Sequence, residues 1–201
     1  MTKIKFCGMR TIEAAYAANE IKPDYVGFVL APRFWRYISP DEARRIKAVL
    51  SPEIKTVGVF VDNPLEEVAE LLESGVIDLA QLHGNEDDEF IKSLQTRTGK
   101  PIIKAFKIVS PDDVRRAQES PADYVLLDSG TGTGQSFDRS LIGDFAREYF
   151  LAGGLDPENV REAIEKCRPY AVDVSSGIET QRIKDKNKMK RFAEAVRAAK
   201  I

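Results

Sequence analysis

Two side chains at the ends of short apolar runs have the chemistry to move protons. Cys7 closes Ile4-Lys5-Phe6-Cys7 and is followed by Gly8, while Asp128 closes Tyr124-Val125-Leu126-Leu127-Asp128. A free thiol titrates near about 8.5, so it is a weak base at neutral pH unless nearby cations or a helix dipole favour the thiolate. A carboxyl that donates a proton at neutral pH must hold it about three units above its ordinary value, a difference of about 4 kcal/mol. Desolvation or a substrate contact would have to supply part of that. Each residue also has a plainer reading, a buried thiol for Cys7 and a capping carboxylate for Asp128. Cys167 illustrates the plainer one, because it shares a helical stripe with Val160, Ala163 and Ile164.

Further along, two glycine turns have the composition of an anion cradle. The first is Ala152-Gly153-Gly154-Leu155-Asp156-Pro157 and the second is Asp173-Val174-Ser175-Ser176-Gly177-Ile178. A phosphate needs several backbone N–H donors converging on it, and glycine lets the backbone come close. Ser175 and Ser176 add hydroxyls. Gly153, Gly154, Asp173, Ser175, Ser176 and Gly177 are therefore candidate substrate-binding residues. Neither turn carries the Lys-Ser or Lys-Thr of a P-loop. Arg36, in Arg33-Phe34-Trp35-Arg36-Tyr37, presents a planar fork suited to a carboxylate, with a surface ion pair as the alternative. His83 is the single histidine, so no multi-histidine metal site is expected. It reads as a residue of the site's mouth or as a structural hydrogen-bonder.

The elements that must position these groups follow from periodicity. Strands are expected at Ile4–Cys7, Tyr25–Leu30, Lys55–Val61, Leu79–Leu82, Ile102–Phe106, Tyr124–Asp128, Tyr149–Ala152 and Ala171–Val174. Amphipathic helices are expected between them, as at Thr11–Glu20, Pro40–Leu50, Leu65–Ser74 and Pro157–Lys166. Ser39-Pro40, Asp62 to Pro64, Ser110-Pro111 and Asp156-Pro157 are the helix-start signals. Eight strand–helix units at about 25 residues each imply an α/β chain folded as one (β/α)8 TIM barrel over residues 1–201. A doubly wound open sheet usually needs fewer units. Alternation puts Ile4 and Phe6 on one strand face and Lys5 and Cys7 on the other, and it pairs Gln81 with His83. Lys5, Gln81 and Asp173 then face the bore, where they could simply satisfy one another. The C-terminal strand ends, where Cys7, Asp128 and both glycine turns fall, are where such barrels carry their chemistry.

Composition narrows the classes. With 30 basic and 32 acidic residues the formal charge is −2, so no basic excess points to nucleic acid. The basic cluster Lys184 to Arg191 reads as the solvated face of a helix. No apolar run is long enough for a membrane span or a leader, and two cysteines make no disulfide framework. A soluble protein of a reducing cytoplasm is expected.

In order along the chain stand Lys5-Phe6-Cys7-Gly8-Met9, Arg36-Tyr37-Ile38-Ser39-Pro40, Val57-Gly58-Val59-Phe60-Val61, Gln81-Leu82-His83-Gly84, Leu126-Leu127-Asp128-Ser129, Ala152-Gly153-Gly154-Leu155 and Val172-Asp173-Val174-Ser175-Ser176-Gly177. The ordered set, spanning essentially the whole chain, resembles the phosphoribosylanthranilate isomerases of tryptophan biosynthesis. The resemblance implies an Amadori rearrangement without a cofactor or metal. By carry-over Asp128 is the general acid at the ribose ring oxygen, Cys7 the general base at the sugar C2, and Arg36 the partner of the anthranilate carboxylate. It implies a small phosphoribosyl substrate and a monomer or homodimer. Two positions depart from the family's pattern. Arg139 stands where tryptophan is frequent and bears on the packing of a lid formed by 129–138, and Phe6 replaces a branched aliphatic on the helix-facing side. The related histidine-pathway isomerase would carry aspartate where this chain has Cys7. A non-catalytic sugar-phosphate-binding barrel is the other alternative.

Overall fold

Within a computed structural model of the chain, residues 1–128, 139–143 and 145–200 are described, Arg139 and Ser140 by their backbone only. Eight parallel strands hydrogen-bond in sequence order, and the first pairs with the eighth to close a barrel. They are β1 (Lys3–Cys7), β2 (Tyr25–Val29), β3 (Lys55–Phe60), β4 (Leu79–Leu82), β5 (Ile102–Lys107), β6 (Tyr124–Asp128), β7 (Tyr149–Leu151) and β8 (Ala171–Val174). Among the described residues seven helices pack outside: α1 (Ile12–Ile21), α2 (Pro40–Lys47), α3 (Leu65–Glu73), α4 (Asp88–Thr98), α5 (Pro111–Glu119), α6 (Val160–Cys167) and α7 (Lys186–Arg197). No helix among the described residues is long and apolar enough to cross a membrane.

Local chemistry accounts for most helix starts. Ser39 and Ser110 each form a capping box, with Glu42 and Asp113 returning a carboxylate to the cap, and a proline follows each serine. Thr11 and Asp87 cap α1 and α4 through their side-chain oxygens. Two expected starts differ. Pro64, not Asp62, occupies the cap of α3, because Asp62 turns away to accept from the Asn85 backbone N–H. The helix expected from Pro157 begins at Val160, because the Asp156 carboxylate takes the N–H groups of Glu158 and Asn159 into a turn of its own. Between β6 and β7 the described residues hold a short 3-10 turn, Arg139–Ile142, rather than an α-helix. It runs into Gly143 with a left-handed φ of 51°.

Strand alternation sorts the core into two regions. Ile4, Phe6, Val172 and Val174 join the helix faces in the outer core. Phe6 is fully buried and meets Phe192 of α7 edge-on, so its departure from the family pattern is absorbed by helix packing. Tyr25, Val57, Leu79, Ile103, Leu126, Phe150 and Ala171 fill the bore. A bore packed with side chains is a floor, and it leaves the polar residues at its C-terminal end no exit except toward the mouth.

Candidate active site

Lys5 lies beneath the mouth, with none of its side chain exposed. An ammonium buried so deeply must be paired. Its Nζ donates to Gln81 Oε1 at 2.8 Å and lies 3.0 Å from Asp173 Oδ2. Burial works against the charged lysine, but Asp173 and Cys7 outweigh it and hold Lys5 above its ordinary value. The expected contacts of Lys5 with Gln81 and Asp173 are thus present, and the same ammonium favours the Cys7 thiolate electrostatically. The Asp173 Oδ1 atom is buried without a hydrogen-bond partner among the described residues.

Cys7 ends β1 directly above this ammonium. Burial raises its thiol, the Lys5 and Lys184 ammoniums oppose that, Asp173 adds to it, and the net direction is upward. Tuning by cations is therefore present, though weaker than desolvation. Gly8 next to it has φ 76°, and a Cβ there would lie 2.7 Å from Arg36 Cδ. Only glycine lets the arginine pass so close to the end of β1.

On the opposite side Asp128 ends β6 and is partly buried. His83, one residue beyond β4, brings Nε2 to 3.5 Å from Asp128 Oδ2. Its Nδ1 lies 3.0 Å from Gln81 Nε2. Lys5, Gln81, His83 and Asp128 thus form one chain of contacts across the bore, with Cys7 on the same strand face as Lys5. The loop carrying His83 is pinned by a pair that sequence reasoning missed. Lys104 Nζ donates to the Gly84 carbonyl at 2.7 Å and to Glu86 Oε2 at 2.8 Å, and Glu86 accepts from the N–H groups of Asp62 and Gly84.

Arg36 is engaged rather than open. Its Nε and Nη2 donate to the Glu179 carboxylate at 3.0 and 2.9 Å, and its guanidinium lies 4.1 Å from the centre of the Trp35 ring. Two of five N–H donors are committed on that edge. Glu179 sits on a two-stranded hairpin after β8, made of β9 (Glu179–Thr180) and β10 (Ile183–Lys184). Gln181 and Arg182 at its tip both have positive φ, as a tight hairpin turn demands. The hairpin drives Lys184 inward until 4 % of its side chain is exposed, with Nζ 2.7 Å from Glu179 Oε1 and 2.9 Å from the Ser175 carbonyl. Lys184 is therefore no part of a solvated helix face, whereas Lys186, Lys190 and Arg191 are exposed on α7 as expected. Burial lowers Lys184, and Glu179 and Cys7 offset that in part. Burial also pushes Glu179 up, but Arg36 and Lys184 outweigh it and hold the carboxylate below its ordinary value.

The two glycine turns meet. A Cβ on Gly177 would fall 2.0 Å from the Leu155 carbonyl oxygen, so the turns after β7 and β8 touch backbone to backbone. Gly153 and Gly154 have φ of 90° and 64°. Asn159 Nδ2 donates to the Gly154 carbonyl, and Asn159 Oδ1 accepts from Asp156 N–H. Ser175 Oγ donates to the Cys7 carbonyl at 3.1 Å, which ties the cradle to β1, and Ser176 opens a short 3-10 turn with Gly177. The structure thus gathers Cys7, Arg36, Asp128, Gly153, Gly154, Asp173, Ser175, Ser176 and Gly177 at the C-terminal ends of the strands and in the loops that follow them. The expected lid at 129–138 and the Arg139 side chain lie outside the described residues.

With that geometry in place, comparison with known proteins is decisive. The family described as N-(5'phosphoribosyl)anthranilate (PRA) isomerase matches residues 4–195. The chain belongs to the phosphoribosylanthranilate isomerase family. An N-(5'-phosphoribosyl)anthranilate isomerase from Caldanaerobacter subterraneus subsp. tengcongensis is 43% identical over 204 residues, covering 98% of each chain. The Thermus thermophilus phosphoribosyl anthranilate isomerase superposes with a TM-score of 0.89 at 35% identity, over 99% of this chain and 100% of that one. Another family structure, solved with reduced 1-(o-carboxyphenylamino)-1-deoxyribulose 5-phosphate, gives a TM-score of 0.87 at 38% identity, over 98% and 99%. Family members thus share this barrel from end to end, hairpin and glycine turns included in the aligned span.

Proposed function

We propose that this isomerase converts N-(5-phosphoribosyl)anthranilate into 1-(2-carboxyphenylamino)-1-deoxyribulose 5-phosphate in tryptophan biosynthesis, with Asp128 as acid and Cys7 as base. Asp128 gives its proton to the ribose ring oxygen as the C1–O bond breaks, and the nitrogen lone pair forms the iminium. Cys7 then removes the C2 proton, and the C2–H electrons flow to the iminium to leave an enolamine. The enolamine becomes the C2 ketone as its hydroxyl proton is lost and C1 gains one. The cationic iminium acidifies the C2 proton, so a thiol raised by burial need not be a strong base. It also adds a positive charge near Cys7 at the step that needs the thiolate.

The observation that carries the reading is the run of side chains Lys5, Gln81 and His83, which leads from the strand face that Cys7 shares to Asp128 in a member of the family. The rest of the mouth fits the same substrate. The turns at Gly153-Gly154 and Ser175-Ser176-Gly177 receive the phosphate. The buried, unpartnered Asp173 Oδ1 accepts from a sugar hydroxyl, which meets an otherwise unsatisfied acceptor. Arg36 keeps its Nε edge on Glu179 and offers the Nη1 side of its fork to the anthranilate carboxylate. Loss of phosphoribosylanthranilate fluorescence, with the product drained by the next pathway enzyme, tests the reading. Folded protein that leaves the fluorescence untouched would sink it.

A further inference from the structure

One feature of the contact chain determines where a proton sits, and its consequence rests on the reading of Asp128 as the acid. Lys5 is an ammonium and can only donate, so the Gln81 atom at 2.8 Å from it must be the amide oxygen. The Gln81 amide nitrogen therefore faces His83 Nδ1, at 3.0 Å. An amide NH2 also only donates, so Nδ1 must be the acceptor. In the neutral ring one nitrogen accepts and the other carries the hydrogen. The hydrogen is thus on Nε2, the atom 3.5 Å from Asp128 Oδ2. That separation exceeds a formed hydrogen bond, and catalytic hydrogen bonds commonly tighten when substrate arrives. Gln81 is 1% exposed and Lys5 0%, so neither can turn to reverse the order.

We propose that the buried Lys5–Gln81 pair locks His83 in its Nε2–H tautomer, and that His83 thereby acts as the positioning residue whose N–H orients the Asp128 carboxyl for proton transfer. Lys5 then serves both halves of the reaction. Its charge favours the thiolate of the base Cys7, and it sets the donor facing the acid through two intervening side chains. The arrangement corresponds to the outer-shell partners that fix histidine tautomers at metal sites, with a carboxylic acid in place of a metal ion.

His83 is the chain's only histidine, so nitrogen-15 NMR of labelled protein reads its tautomer without assignment. At mildly alkaline pH Nε2 should carry the hydrogen and Nδ1 should be bare. The opposite tautomer would overturn the proposal outright. Gln81→Glu sharpens the test. A carboxylate still accepts from Lys5 but also accepts from Nδ1, so the ring should switch to Nδ1–H. kcat should fall about 10- to 100-fold, the usual cost of a lost outer-shell partner, with KM within about twofold. A switched tautomer with undiminished kcat would contradict the orienting role. If that buried substitution unfolds the chain, the partly exposed position takes its place. His83→Ala should lose about 10- to 100-fold in kcat, and His83→Gln, which restores an N–H donor, should recover part of it. Equal rates in both variants, or a loss confined to KM, would refute the proposal. Failure here is separable from failure of the functional reading. Full activity in Asp128→Asn would sink the acid assignment while leaving the tautomer result standing.

Discussion

The two ends of the barrel's bore are built from the same alternating strands and do opposite things. At the N-terminal end Tyr25, Tyr124, Phe150 and Tyr170 pack ring on ring, with centroids 5.2 to 5.8 Å apart. The Tyr25 and Tyr170 hydroxyls meet at 3.0 Å, and the Lys3 ammonium covers Tyr170 at 5.0 Å from its ring centre. Burial pushes Tyr124 up to about 12 and Tyr25 further still, so these phenols stay neutral. At the C-terminal end a buried lysine and glutamine meet a partly buried aspartate and thiol, with one carboxylate oxygen unpartnered among the described residues. The aromatic end pairs the Tyr25 and Tyr170 hydroxyls with each other and gains stability from packed area. The polar end holds charges that cost desolvation and leaves one acceptor for a substrate to complete. Stability and chemistry are separated along a single axis, within residues as close in sequence as Lys3 and Cys7.

That separation can be broken experimentally, beginning with the largest effect. Asp128→Asn and Cys7→Ser should each lower kcat by about 10²- to 10⁴-fold with unchanged thermal melting, as read by steady-state kinetics beside a melt. A near-full rate in Cys7→Ser would remove the base from the polar end. Phe150→Ala, at the aromatic end, should cost about 3–5 kcal/mol in denaturant unfolding while kcat of the folded protein stays as it was. Lys184→Met sharpens the electrostatics. Its ammonium favours the Cys7 thiolate, so its removal should push the thiol further up and move the basic limb of the kcat/KM profile to higher pH. A limb that stays in place would mean that Lys184 serves only the hairpin. The smallest effect belongs to Tyr170→Phe, which removes one neutral hydrogen bond and should lower stability by about 1 kcal/mol, seen as a modest fall in melting temperature without a change in activity.

Much of this axis was legible in the sequence, for reasons that differ along the chain. Strand β1 reads well because alternation is a strict constraint. Once Ile4 and Phe6 face the helices, Lys5 and Cys7 must face the bore. Ser39-Pro40 and Ser110-Pro111 read well because a capping box is a contact between near neighbours. Asp156-Pro157 misleads because its carboxylate has two local options, a helix cap or a turn, and the Asn159 side chain settles on the turn by bridging Asp156 N–H and the Gly154 carbonyl. Glu179 and Lys184 were not legible. In Glu179-Thr180-Gln181-Arg182-Ile183-Lys184 the charges look solvent-facing, and only the left-handed residues at Gln181 and Arg182 fold the segment back on the mouth. Neither residue is of the glycine type that announces such a turn. Arg36 was singled out for a carboxylate, and the carboxylate it meets in the structure belongs to Glu179, 143 residues away in the chain.

The most direct test of the account is turnover by the intact protein and by Asp128→Asn, followed through phosphoribosylanthranilate fluorescence with the product continuously consumed. Rapid loss of signal is expected with the intact protein and a rate lower by at least about 10²-fold with the variant, both proteins melting alike. Equal rates, or no turnover by well-folded intact protein, would contradict it.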